Sequence, residues 1–160
     1  MAEARAEVRV RDAVASDRDR IVDYNLALAR ESEDKAIDRA TLTSGVDRAL
    51  ASPALCRYFI AEIDAQPVGQ TMITYELSDW RDGVLWWIQS VYVEPGARRK
   101  GVFRALYEHI EGLAREQGDV GGIRLYVERE NARAMRTYEA LGLRAAGYIV
   151  YEVDWSGAVS

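Results

Sequence analysis

Thiols and imidazoles are nearly missing from this chain. Cys56 is the only cysteine and His109 the only histidine in 160 residues. A single thiol cannot close an intrachain disulfide, and these two residues cannot assemble a cysteine- or histidine-based metal site. Cys56 has no histidine beside it and no catalytic motif around it. It reads as a small core residue, so no covalent acyl-enzyme is expected. A basic excess is also lacking. The formal net charge is −5, which argues against a general nucleic-acid binder. No apolar run approaches the ~18 residues of a bilayer crossing. The charged N-terminus, MAEARAEVRV, lacks the apolar centre of a secretory leader. A cytoplasmic protein with no membrane or nucleic-acid partner is the expectation. Only three prolines interrupt the chain, and it carries no repeats or low-complexity tracts.

What remains is the composition of a globular domain, 49% hydrophobic and 29% charged. The length suits one domain over residues 1–160. EVRVRDA alternates at period two and predicts a first strand. Ser16 and Asp17 offer an N-cap before Ile21, Tyr24 and Leu28 at helical spacing. ARESEDKAID reads as a polar break, followed by a second helix over 39–50. A hairpin follows, with strands near 58–63 and 68–77 and a turn at 64–66. VLWWIQSVYV is rich in β-branched and aromatic residues and predicts a strand apolar on both faces. A helix is predicted over 101–117, with His109 at the edge of its apolar stripe and a structural role for that residue. IRLYVE then reads as a strand, and a helix capped by Asn131 runs over 132–141. Gly142 fits the left-handed position beyond it. GYIVYEVDW reads as a closing strand. The order β-α-α-β-β-β-α-β-α-β describes a mixed α/β sheet flanked by helices.

The stretch VEPGARRKGVFRALYEHI carries the first functional signal. A strand ends near Val93 and a helix begins near Gly101. The first turn of a helix leaves backbone N–H groups without partners, and its dipole adds positive charge there. Arg98, Arg99, Lys100 and Arg104 add formal charge around that point. Gly101 removes a side chain where a ligand could approach. Together these suit a phosphate or diphosphate, and a solvated basic turn is the competing reading.

RRKGVF after a hydrophobic strand resembles the R/Q-x-x-G-x-G/A signature of the GCN5-related N-acetyltransferase (GNAT) family. Arg98 and Gly101 take its first two fixed positions. Phe103 stands where that family has Gly or Ala. NARAMRTYEALGL is similar to the later family motif N-x-x-A-x-x-x-Y-x-x-L-G-F. Asn131, Ala134, Tyr138, Leu141 and Gly142 are in place, and Leu143 replaces the aromatic. The element order matches as well. The resemblance implies a mostly antiparallel twisted sheet with about four helices. It also implies acetyl-coenzyme A as co-substrate without a metal, and transfer to a primary amine of a small molecule or peptide by direct attack.

The resemblance also assigns roles. Val91, Tyr92 and Val93 would present strand backbone to the pantetheine arm, with the Val93 N–H a candidate to polarise the thioester carbonyl. Residues 98 to 104, Val102 and Phe103 included, would form the diphosphate loop. Asn131 would bind the pantetheine arm or cap its own helix. Tyr138 would protonate the departing sulfur, although it also lies on the apolar stripe of its helix. The base stays open among Glu128, Glu76 and water relayed through Gln89. Trp86 and Trp87 must point to opposite faces, so one serves the core while the other can line the groove. Trp87, Trp80 and the acidic Glu31, Glu33 and Asp34 leave both packing and acceptor recognition open. A binding module with the same fold and no catalysis is the rival reading. The acceptor is not named by the sequence. Relatives in this family are often dimeric.

Overall fold

A computed structural model describes residues 7–159. The reading of the first six residues as free of a leader lies outside the described residues. Strand β1 (Val8–Asp12) is followed by helices α1 (Arg18–Glu33) and α2 (Arg39–Leu50). Next come β2 (Cys56–Ile63), β3 (Gln66–Ser78) and β4 (Gly83–Val93), then α3 (Val102–Gln117), β5 (Val120–Leu125) and α4 (Ala132–Ala140). The sheet order is β1-β2-β3-β4-β5. Its first four strands are antiparallel, and β5 joins β4 in parallel because α3 carries the chain back across the sheet. The sheet and its flanking helices agree with the predicted fold class.

Alternation along the strands divides the core between two faces. Phe59, Ile73, Trp86 and Ile88 pack under Leu106, Ile110 and Ala114 of α3. Tyr58 and Ile60 face the other way and meet Ile21 and Val22 of α1 and Val46 of α2. His109 sits on the α3 side with its ring edge-on to Phe59 at 5.4 Å, a packing role. Cys56 is buried, donates to the Ala49 carbonyl at 3.4 Å and is made less acidic by burial.

Four local expectations are corrected. ARESE is helical, because these good helix formers continue α1 on its solvent side until Asp34 takes a left-handed φ of 50°. The β2–β3 turn is tighter than 64–66. Asp64 and Ala65 are both left-handed, at φ 51° and 60°, the two-residue turn that matches strand twist. Strand β5 begins earlier and ends at Leu125, leaving Tyr126 and Glu128 beyond it. Glycine lets it begin there: a Cβ on Gly122 would stand 3.3 Å from Leu85 Cδ2. The closing strand does not form. Among the described residues, 144–155 join no ladder, and the tail is met only at an isolated bridge of Val159 with Ile37. Composition gave that run strand propensity, but a strand also needs an edge to pair with.

Arg11 fastens β1 to the start of α1, donating to Asp17 at 2.7 and 3.0 Å and to Glu62 at 2.7 Å. Burial pushes the Asp17 carboxyl up, but bonds from Arg11 and the Val14 N–H outweigh it and hold the group below its ordinary value. A depressed carboxyl stabilises the fold fully above the unfolded value of about 3.9, and loses that contribution as pH falls through the folded value. Urea unfolding between pH 7 and pH 3 is expected to show this slope. Asp17→Asn should remove its share, and an unchanged slope would mean that other carboxylates carry it.

Candidate active site

The site begins with a bulge. Gln70 pairs with Tyr92 and Met72 with Gln89, so β4 has one extra residue, with Ser90 at a left-handed φ of 52°. Thr71 Oγ1 donates to the Gln89 carbonyl at 3.0 Å. Gln70 Nε2 donates to the Ser90 carbonyl at 3.2 Å and to Asn25 Oδ1 at 3.1 Å. Asn25 Nδ2 in turn donates to the Tyr58 hydroxyl at 3.2 Å. Both Gln70 and Thr71 are fully buried, so these bonds pin the bulge rigidly. The β4–β5 ladder runs only from Val84 to Ile88 on β4. Past Ile88 the pairing ends, so β4 residues 89–93 have no ladder partner on the β5 side.

The loop after β4 approaches α1. Arg98 donates through Nη2 to Glu31 at 2.6 Å and through Nε to the Val93 carbonyl at 3.0 Å, and its guanidinium lies 5.7 Å from the Tyr92 ring centre. The Tyr92 hydroxyl donates to the same Glu31 at 3.3 Å, and Tyr24 donates to Glu94 at 2.8 Å. Arg98 therefore latches the loop to α1, and its charge is met by Glu31 instead of standing free. Arg99 and Gly101 are left-handed, at φ 65° and 81°. Such alternation of hand is the backbone pattern of an anion-binding concavity. The first helical bond of α3 is Ala105 N–H to the Gly101 carbonyl, and Gly101 brings no capping side chain. The N–H groups of Val102, Phe103 and Arg104 thus lie at an uncapped helix start.

Phe103 packs between helices. Its ring meets Tyr138 edge-on at 5.5 Å and Tyr107 at 6.5 Å. Tyr138 faces an open cleft of ≈ 2190 Å³, also lined by Glu31, Trp87, Tyr126, Glu128 and Gly142. Burial raises the phenol above its ordinary value, so it holds its proton at neutral pH and can donate it. Asn131 Oδ1 accepts from the Ala134 N–H at 3.1 Å, which is the capping role.

The carboxylates are placed differently from each other. Glu128 lies in the loop after β5, where its Oε2 accepts from the Glu130 N–H at 2.9 Å. Glu76 accepts from Trp87 Nε1 at 2.6 Å and sits 3.6 Å from Arg124. Trp86 is buried against Tyr75, whereas Trp87 turns to the cleft side and stacks on Tyr126 at 4.5 Å. Trp80 is exposed in the turn before β4 and lines no part of the cleft.

Sequence reading missed two groups. Gln70 and Asn25 hold the bulge, and no motif announces them. Arg133 and Arg136 join Arg104 along a furrow of ≈ 400 Å³ between α3 and α4. Their i,i+3 spacing, which puts both on one helix face, could have found them. Three guanidinium groups lining one furrow suit an anion.

Comparison with known proteins fits this geometry. The sequence pattern described as Acetyltransferase (GNAT) family matches residues 22–143. A streptothricin acetyltransferase of Streptomyces lavendulae is 33% identical over 106 residues, which are 66% of this chain and 53% of that protein. The chain thus spans about half the length of this curated relative. A structure described as a possible acetyltransferase from Clostridium difficile 630 superposes with TM-score 0.85 at 40% identity, covering 92% of this chain and 97% of that one. A predicted acetyltransferase from Clostridium acetobutylicum, solved with acetyl-CoA, has the same fold, with TM-score 0.70 at 18% identity, covering 91% and 96%.

Proposed function

The chain belongs to the GNAT acetyltransferase family, and from that premise we propose that it transfers an acetyl group from acetyl-coenzyme A to a primary amine. Three features support the reading: the bulged end of β4, which has no β5 partner, the uncapped start of α3, and the Tyr138 phenol, which burial keeps protonated. The residues present suit the coenzyme. The concavity at Arg99 and Gly101 and the N–H groups of Val102, Phe103 and Arg104 would hold the diphosphate, with Lys100 beside them. Arg104, Arg133 and Arg136 would take the ribose 3′-phosphate. The freed edge of β4 at Val91, Tyr92 and Val93 would pair with the amides of the pantetheine arm, as an added strand does. Asn131 keeps its Nδ2 for that arm while its Oδ1 caps α4.

Coenzyme A supplies the acetyl thioester when bound. Tyr138 delivers its proton to the departing sulfur, and the Val93 N–H polarises the carbonyl. The acceptor attacks directly within a ternary complex, since the chain offers no activated nucleophile. Glu128 accepts from its own loop, Glu76 accepts from Trp87, and Gln89 Nε2 donates to Thr74 Oγ1 at 2.6 Å. The amine proton leaves to one of these carboxylates or to water relayed through Gln89. A small-molecule acceptor is supported by the curated relative, whose name assigns it streptothricin. The chain is read as a single domain over residues 1–160.

Acetyl-coenzyme A at 100 times its Kd should add about 2.7 kcal/mol to stability, a rise of roughly 5–10 °C in melting temperature for a domain this size. Arg133→Ala/Arg136→Ala should abolish any preference for acetyl-coenzyme A over its 3′-dephospho form. No thermal shift with either would remove the coenzyme reading. Thiol release across an amine panel separates the enzyme from a binding module of the same fold.

A further inference from the structure

Helix α1 and the end of β4 with its loop are joined by two polar clusters that mirror each other. In the first, Glu94 after β4 accepts from the Tyr24 hydroxyl of α1 at 2.8 Å and lies 3.6 Å from Arg20 of the same helix. In the second, Glu31 of α1 accepts from the Tyr92 hydroxyl at 3.3 Å and from Arg98 at 2.6 Å. Each carboxylate thus takes one phenol and one guanidinium from the opposite side. The two phenols meet in the middle, with ring centres 5.1 Å apart. Arg20 lies 5.9 Å from the Tyr24 ring centre and Arg98 5.7 Å from that of Tyr92. Both rings are buried, and burial raises both phenols above their ordinary value, so they stay donors to the carboxylates.

Sequence position explains this geometry. Tyr24 and Glu31 are seven residues apart, two turns along one face of α1. Glu94 and Arg98 bracket the short turn Pro95–Ala97. A single contact would let that turn swivel, whereas a contact at each end fixes its direction. Gly101 and the uncapped N–H groups of α3 follow directly after Arg98–Lys100. The fold does not need the second cluster. Helix α1 is seated by Ile21 and Val22 against Tyr58 and Ile60, and its last buried residue is Ala29. Glu31 stands past that seat with its side chain 43% exposed, where an ion pair adds little to stability. What the two clusters do hold, at both ends, is the loop that leads into α3.

We propose that Glu31 and Glu94 are positioning residues for the coenzyme: acting through Arg98 and the Tyr24–Tyr92 pair, they make α1 the outer support of the diphosphate cradle. Neither carboxylate suits direct contact with a diphosphate, since like charges repel. Their effect on the coenzyme passes through the direction of the loop. The inference rests on the coenzyme reading of that loop. Coupling between two elements is reciprocal. A coenzyme held at the start of α3 therefore also steadies the end of α1, where Glu31 and Glu33 border the cleft.

Calorimetric titration with acetyl-coenzyme A, thermal unfolding and amide hydrogen exchange test this on the whole chain. Glu31→Gln keeps the shape of the side chain and removes its charge. It should weaken acetyl-coenzyme A binding about fivefold to tenfold, with the melting temperature of the free protein within about 3 °C of the parent. Exchange over residues 96–101 should quicken in the free variant. The slowing that coenzyme causes at residues 29–33 of the parent should disappear. Glu31→Asp keeps the charge and should recover part of the affinity. Tyr24→Phe keeps the stacked ring, loses the bond to Glu94, and should weaken binding in the same direction. Equal affinity in the parent and Glu31→Gln would overturn the proposal and leave the coenzyme reading standing. A loss of affinity matched by a fall in melting temperature of more than about 3 °C would make Glu31 merely structural, and would overturn it too. No binding by the parent chain itself would remove the coenzyme reading, and the positioning role with it.

Discussion

Tyr138→Phe is expected to lower turnover by about 10²-fold or more, the usual worth of a placed general acid, and to leave acetyl-coenzyme A affinity unchanged. The substitution removes one hydroxyl and keeps the ring that packs against Phe103, so fold and binding should be preserved. Two roles compete for this residue, because it faces the cleft and also stands on the apolar side of α4. Steady-state turnover and calorimetric binding separate them. Equal turnover would return Tyr138 to the core. The pH profile gives a second reading. Burial raises the phenol above its ordinary value, so its acid form persists past neutrality. Any decline in rate due to its ionisation should lie above pH 10.

Phe103 enters the same prediction. In place of the small residue of the family signature, it sets a ring edge against Tyr138 and lies near Tyr107. Its substitution is therefore read through Tyr138. Phe103→Ala should lower turnover about tenfold to 10²-fold, because a small misplacement of a reacting group costs that much. Phe103→Leu should recover part of it. A change in coenzyme affinity with turnover intact would instead place Phe103 in direct contact with the coenzyme.

Much of this was legible in the sequence because periodicity and punctuation agree there. Helix α3 is strongly two-sided and begins just past the left-handed Gly101. Helix α4 carries its cap and its motif together, with Asn131 bound to the Ala134 N–H. The bulge was hidden, because nothing in QSVY distinguishes Ser90 from its neighbours. Its left-handed backbone is imposed from outside by Gln70 and Thr71 on β3. Arg98 matched a motif position, yet its partner Glu31 is 67 positions away. No local pattern carries that pairing. Propensity failed at residues 147–155 for the same reason, since whether a strand forms there depends on a distant edge.

Gly69→Val should damage the fold and the coenzyme site together. A Cβ at Gly69 would lie 2.9 Å from the Tyr92 carbonyl oxygen and 3.0 Å from Val102 Cγ1. The first contact is backbone and cannot rotate away, and the second belongs to the opening residue of α3. Valine adds two methyl groups to that gap, so β4 and α3 must separate. Overpacking of this kind costs about 1–3 kcal/mol, or roughly 5–10 °C in melting temperature at the upper end. The shift acts where the N–H groups of α3 would meet the diphosphate, so coenzyme affinity should fall at least tenfold along with stability. Gly69→Ala should show both effects in smaller measure. Thermal unfolding and calorimetric titration check them together. A stability loss with unchanged affinity would show that the diphosphate is held elsewhere, because α3 cannot move away from β4 and still present the same cradle.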